Sequence, residues 1–170
     1  QEQSLEPLQK LQLKTVEDFK RLTKTVKTQQ KEATTALGSL AEHGLNLISN
    51  NALEYEHFTG KGYLPRFFDK LLKGQAVKWD AKWQLNIEEA SFYTKTQEEW
   101  VKSAIDRIAP QLIDLFLRAK EAYLKADWFT RLYREIVPMT VLNYIQTEYQ
   151  AIKEEQNLVT VAEFNRRIHQ

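Results

Sequence analysis

The chain of 170 residues has no cysteine, which excludes disulfides, thiol nucleophiles and cysteine-based zinc sites together. Backbone breakers are also scarce. There are 5 glycines and 4 prolines, a content low enough to favour long helices. No charge of one sign dominates: 24 Lys and Arg face 23 Asp and Glu, for a net charge of +1. Attraction to a polyanion or a membrane surface must therefore come from a local patch. No apolar run approaches the roughly 18 residues of a membrane span. The opening QEQSLEPLQK lacks the basic start and apolar stretch of a signal peptide. The sequence starts without Met and stops at Arg167-Ile168-His169-Gln170 with no helix-stop signal, so both ends read as cuts in a longer protein. A cytoplasmic location, with no membrane partner, fits these absences.

What is present is a core-forming chain. Its apolar share of 42% against a charged share of 28% can offset chain entropy. The expected fold class is all-α: a long-helix hairpin or bundle forming one domain over residues 1–170. An irregular, aromatic-rich segment at 44–95, with a short helix in it, separates the long helices. The first helix is expected over about residues 4–43. Leu5, Leu8, Val16, Phe19, Val26, Ala33, Leu37 and Leu40 recur there at steps of three and four, with Thr23 and Gln30 interrupting the stripe. Such a helix cannot bury its stripe alone and calls for an antiparallel partner.

Gly44, Gly60, Gly62 and Gly74 mark the irregular segment, and Pro65–Lys73 reads as a short helix between a starting proline and a stopping glycine. Helix resumes at Thr96-Gln97-Glu98-Glu99, a capping-box pattern. Trp100, Ala104, Ile108, Leu112, Leu115, Ala119, Ala122 and Ala126 then form a stripe. Pro110 is expected to kink this helix or start a new one. A further helix over Asp127–Val137 is expected to stop near Pro138. Another runs from Met139 to Glu155 with Val141, Leu142, Ile145, Tyr149 and Ile152 facing inward, and a last one starts at Thr160-Val161-Ala162-Glu163.

Catalytic patterns are missing. Gly60-Lys61-Gly62 followed by Tyr63 does not have the spacing of a phosphate-binding loop. Glu54-Tyr55-Glu56-His57 holds one E-x-x-H, where a di-iron bundle needs two copies and two further glutamates. No catalytic, cofactor-binding or metal-binding residue is assigned. The segment from Gly60 to Trp83 is the local feature with functional content. Lys61, Arg66, Lys70, Lys73, Lys78 and Lys82 face only Asp69 and Asp80, a local excess of four positive charges. Such residues can contact phosphates, and neighbouring aromatics can stack on bases. The plainer reading has Phe67, Phe68, Trp79 and Trp83 packing a minor core with lysines solvating its rim.

The stretch from Glu154-Glu155-Gln156-Asn157 through Thr160-Val161-Ala162-Glu163-Phe164-Asn165-Arg166-Arg167-Ile168 resembles the segment that precedes the Asp-Glu motif in UvrD/RecB/AddA-type superfamily 1 DNA helicases. There a long helix ends in E-x-N and a helix with an F-N/D-x-x-I/L pattern leads back to the motor. The region Leu45 to Leu72, with Phe58-Thr59-Gly60-Lys61 and Leu64-Pro65-Arg66-Phe67-Phe68-Asp69-Lys70-Leu71, is similar to the same insert in RecB-like helicase–exonucleases of Bacteroidetes type. The resemblance implies subdomain 1B of such a protein, an accessory element in unwinding and double-strand-break repair. It also implies contact with duplex or forked DNA regardless of sequence, through Lys61, Arg66, Lys70, Lys73, Lys78 and Lys82. The further partner implied is the parent chain's own motor domains, with ATP and magnesium bound there and not in this piece. The alternative is a free-standing helical module for protein–protein interaction.

Overall fold

A computed structural model describes residues 15–159 together with Val161, Phe164 and Ile168. The elements are α1 (Val16–Asn50), a 3-10 turn (Tyr55–His57), α2 (Thr59–Leu72), α3 (Lys82–Leu85), a second 3-10 turn (Ile87–Glu89) and α4 (Glu99–Glu155). No strand occurs among the described residues, so the fold is all-α. Its two long helices pack against each other with a short helix between them in sequence. None of the described helices is long and apolar enough to cross a membrane. Residues 4–14 of the expected first helix, and the expected capping box at Thr160, lie outside the described residues.

The chain divides into two compact units, one of residues 28–129 and one built from residues 1–27 and 130–170. In the first, α1 and α4 enclose a core with α2. Ala41 and Ile48 come from α1, and Val101, Ile105, Ile108, Leu112, Leu115, Phe116 and Ala119 from α4. Apart from Phe116, which widens the seam beside Leu115, these α4 positions advance in steps of four and three, the spacing that keeps one seam of a helix against a neighbour. Between the long helices, Leu64, Phe67, Phe68 and Leu71 of α2 complete the same core. Arg107 donates to Asn51 Oδ1 at 2.7 Å, fastening the end of α1 to the beginning of α4. Among the described residues of the second unit, Phe19, Val26 and Ile136 are the buried apolar ones and Asn143 is buried with them. Lys27 Nζ lies 4.9 Å above the Tyr133 ring.

The start of α1 is capped reciprocally. Thr15 Oγ1 accepts the Asp18 amide at 3.2 Å, while Asp18 Oδ2 accepts the Thr15 amide at 3.0 Å. Two helix donors that have no partner inside the helix are satisfied this way.

Several sequence expectations are corrected. Helix α1 does not stop at residue 43 but runs through Gly44 to Asn50. Gly44 is a packing residue rather than a breaker, because a Cβ there would lie 2.9 Å from the Phe68 ring. Helix α4 does not divide at Pro110 or Pro138, and its 57 residues are continuous. Both prolines are exposed. Water can therefore reach the Asp106 and Arg134 carbonyls, which lose their helical donors to proline. That helix begins at Glu99 rather than Thr96, whose Oγ1 pairs with Thr94 Oγ1 at 3.0 Å. Trp100 is exposed, and Val101 and Ile105 take the buried places at the start of the stripe, which from Ile108 to Ala119 is buried as expected. Val16 is exposed, and so are Val141, Leu142, Ile145, Tyr149 and Ile152, the expected inner face. Ile136 and Asn143, one heptad apart, point inward instead.

The end of α4 falls where the E-x-N motif stands. The Leu158 amide donates to the Lys153 carbonyl at 2.9 Å, and Asn157 sits in the left-handed region at φ 51°. This is the Schellman arrangement that closes helices, with asparagine substituting for glycine.

Candidate nucleic-acid interface

The six basic candidates all lie in the unit of residues 28–129, and all six are exposed. They do not form one cluster. Arg66, Lys70 and Lys78 line a single open concavity of about 570 Å³, together with Gly60, Tyr63 and Trp83. Lys61 joins Arg66 in an adjoining concavity of about 580 Å³ that reaches Thr94 and Gln97. Lys73 and Lys82 line neither concavity.

Helix α2 places the central pair. Arg66 and Lys70 are four residues apart and so share one face, opposite the face that buries Leu64, Phe67, Phe68 and Leu71. Lys73 follows on the same side, but its Nζ lies 2.7 Å from Asp69 Oδ2. The hydrogen bond and charge of Asp69 push the Lys73 amine up from its ordinary pKa. The lysine remains charged, but a carboxylate already opposes it. Lys82 opens α3, a helix of 4 residues.

Lys78 belongs to the loop between α2 and α3, and a residue absent from the sequence-based candidates holds that loop. Gln84 is buried, its Nε2 donating to the Lys78 carbonyl and its Oε1 accepting the Ala81 amide, both at 2.9 Å. Its one available signal was a glutamine three residues into a short helix, the reciprocal half of a capping box.

Lys61 sits in an unusual turn. Gly60, Lys61 and Gly62 adopt φ of 63°, 58° and 88°, three successive left-handed residues immediately before the right-handed part of α2. Glycine is required on both sides. A Cβ at Gly62 would fall 2.7 Å from the Tyr55 carbonyl oxygen, and one at Gly60 would fall 1.8 Å from the Tyr63 ring. Pro65 then lies in the first right-handed turn of α2, where its missing donor has no intrahelical partner to lose.

The aromatics of this segment divide by role. Phe67 is the hub of a buried cluster, edge-on to Trp79 at 4.8 Å and Trp83 at 5.7 Å and tilted against Phe116 at 5.3 Å. Phe67 and Phe116 are buried in the main core and Trp79 and Trp83 pack against it, while Phe67 and Trp83 also line the basic concavity. The plainer sequence reading groups Phe67, Phe68, Trp79 and Trp83 as a minor core, and they belong to the main one. Tyr63 alone among the segment's large apolar rings is more than half exposed, at 55%.

The E-x-x-H motif has a local structural use. His57 Nδ1 accepts the Glu54 amide at 2.9 Å, and its ring meets Trp100 edge-on at 5.4 Å. No group of three or more His, Cys, Asp or Glu residues that could hold a metal ion occurs among the described residues. No protein-family model matches the sequence, and no curated protein or solved structure is found to be similar to it.

Proposed function

We propose that this chain is a DNA-contacting helical element that binds the sugar–phosphate backbone through Arg66, Lys70 and Lys78. Lys61 contributes from the adjoining concavity, while Lys73 and Lys82 add only peripheral charge. The observation that carries the reading is the convergence of Arg66, Lys70 and Lys78 on one open concavity in a chain of net charge +1. Three cations against one carboxylate, Asp80, on that rim leave a local positive excess that offers an anion site, and released counterions drive phosphate binding. The resemblance to subdomain 1B of RecB-like helicases supports DNA as the polyanion. In that setting the chain is a non-catalytic accessory to an ATP-dependent motor, and unwinding belongs to the parent protein.

Fluorescence polarisation on a labelled forked duplex tests this. Binding at low salt is expected to weaken with a log–log salt slope of about −2 to −3, near 0.9 per phosphate engaged. Arg66→Glu, Lys70→Glu and Lys78→Glu should each weaken it by several fold. Lys73→Glu should have less effect, because Asp69 already opposes that charge. Binding indifferent to all four substitutions places the contact elsewhere, and absence of binding at low salt sinks the reading.

A second reading, a module that binds a partner protein, is favoured by the exposed apolar side chains of α4 at Val141, Leu142, Ile145, Tyr149 and Ile152. It takes precedence if the chain ignores DNA but associates through these residues in sedimentation experiments, with association lost in Ile145→Glu.

A further inference from the structure

We propose that Tyr63 is a stacking platform for an unpaired base, so that the basic concavity prefers single-stranded DNA to duplex. This rests on the DNA-binding reading above and goes beyond it by naming the form of the strand. Tyr63 lies on the rim of the concavity lined by Arg66, Lys70 and Lys78 and is 55% exposed. On α2, Tyr63, Arg66 and Lys70 stand at spacings of three and four and share one face. About 10 Å of helix separates the first from the last. An aromatic ring followed by two cations along one line can take a base and then its neighbouring phosphates.

The left-handed turn makes the ring a held surface rather than a loose one. Tyr63 packs so closely on Gly60 that a Cβ there would sit 1.8 Å from the ring. The glycine backbone supports the ring on one side while its exposed surface stays open. A ring already fixed loses little side-chain freedom on binding. Trp83 also lines this concavity, but it is partly buried and its ring meets Phe67 and Phe116, so Tyr63 presents the more open face beside these cations. Duplex DNA keeps its base faces inside the stack and leaves such a ring idle, whereas every unpaired base presents a face.

The test compares a fluorescein-labelled dT 15-mer with a hairpin duplex of matched phosphate number, each bound to the full chain at fixed low salt. The single strand is expected to bind more tightly. Tyr63→Leu, shown to be folded by its circular-dichroism melt, should weaken dT binding about tenfold while leaving hairpin binding and the salt slope unchanged. Tyr63→Phe and Tyr63→Trp, which keep a ring, should retain the preference. If both probes bind through Arg66, Lys70 and Lys78 but Tyr63→Leu affects neither, or both equally, the stacking role is overturned and the phosphate site stands. If neither probe binds, both proposals fall.

Discussion

Gly38 and Gly44 both lie inside α1, yet alanine is expected to move stability in opposite directions at the two sites. Around Gly38 an added Cβ meets nothing within 4 Å. Gly38→Ala should therefore gain about 0.5–1 kcal/mol from helix propensity alone. At Gly44 the same atom meets Phe68, itself completely buried. Gly44→Ala should lose roughly 1–3 kcal/mol to overpacking, and urea melts of the two variants would expose any failure of that contrast. Composition suggests a breaker at Gly44, since no local pattern announces that a distant ring lies against its Cα. Asp18 illustrates a signal that was legible but easily passed over, the Thr15-x-x-Asp18 capping box. The Thr15 amide and hydroxyl and the Arg21 guanidinium hold its carboxyl down at about 2. Because that lies below the ordinary 3.8, the carboxylate favours the folded state above about pH 4, an advantage lost as pH falls toward 2. Asp18→Asn should melt below the parent at pH 6, with the gap narrowing below about pH 4 and closing only as pH falls through about 2; a gap independent of pH would contradict the capping role.

At the scale of elements, α4 shows how far pattern reading carries. The apolar period from Ile108 through Ala119 is plain in the sequence and is buried as expected. The prolines mislead because the effect of a proline depends on which side of the helix it occupies, and an exposed position tolerates one that an inner position would not. In the later part of the helix the stripe of Val141, Leu142, Ile145, Tyr149 and Ile152 is exposed, against expectation. Two apolar stripes coexist there, and periodicity cannot decide which of them meets a neighbour. The structure makes that choice measurable. Ile136 is 1% exposed and Ile145 57%. Ile136→Ala should cost about 2–4 kcal/mol and Ile145→Ala no more than about 0.5. Equal effects in denaturant titrations would mean that the second stripe is also covered. The candidate interface was legible as a charge excess between Gly60 and Trp83. Its division into Arg66, Lys70 and Lys78 on one rim, with Lys73 already paired, was not, because it depends on the path of the loop that Gln84 fastens.

Over the whole molecule, burial is unequal. The unit of residues 28–129 holds a contiguous core of buried side chains from Ala41 to Ala119, whereas Phe19, Val26, Ile136 and Asn143 are the buried residues described in the other. Local opening is easiest where apolar burial is least. In hydrogen exchange, amides of residues 101–119 should be the most protected, and those of 140–155 should exchange by openings well short of global unfolding. Uniform protection along α4 would show that the helix opens only as one piece. All four tryptophans, Trp79, Trp83, Trp100 and Trp128, belong to the better-buried unit. Excitation at an indole wavelength thus watches that unit alone and is blind to the other. A tryptophan emission melt run beside a far-ultraviolet dichroism melt becomes a built-in comparison of part against whole, with no label attached. A chain without a single thiol leaves that comparison free of disulfide cross-linking as well.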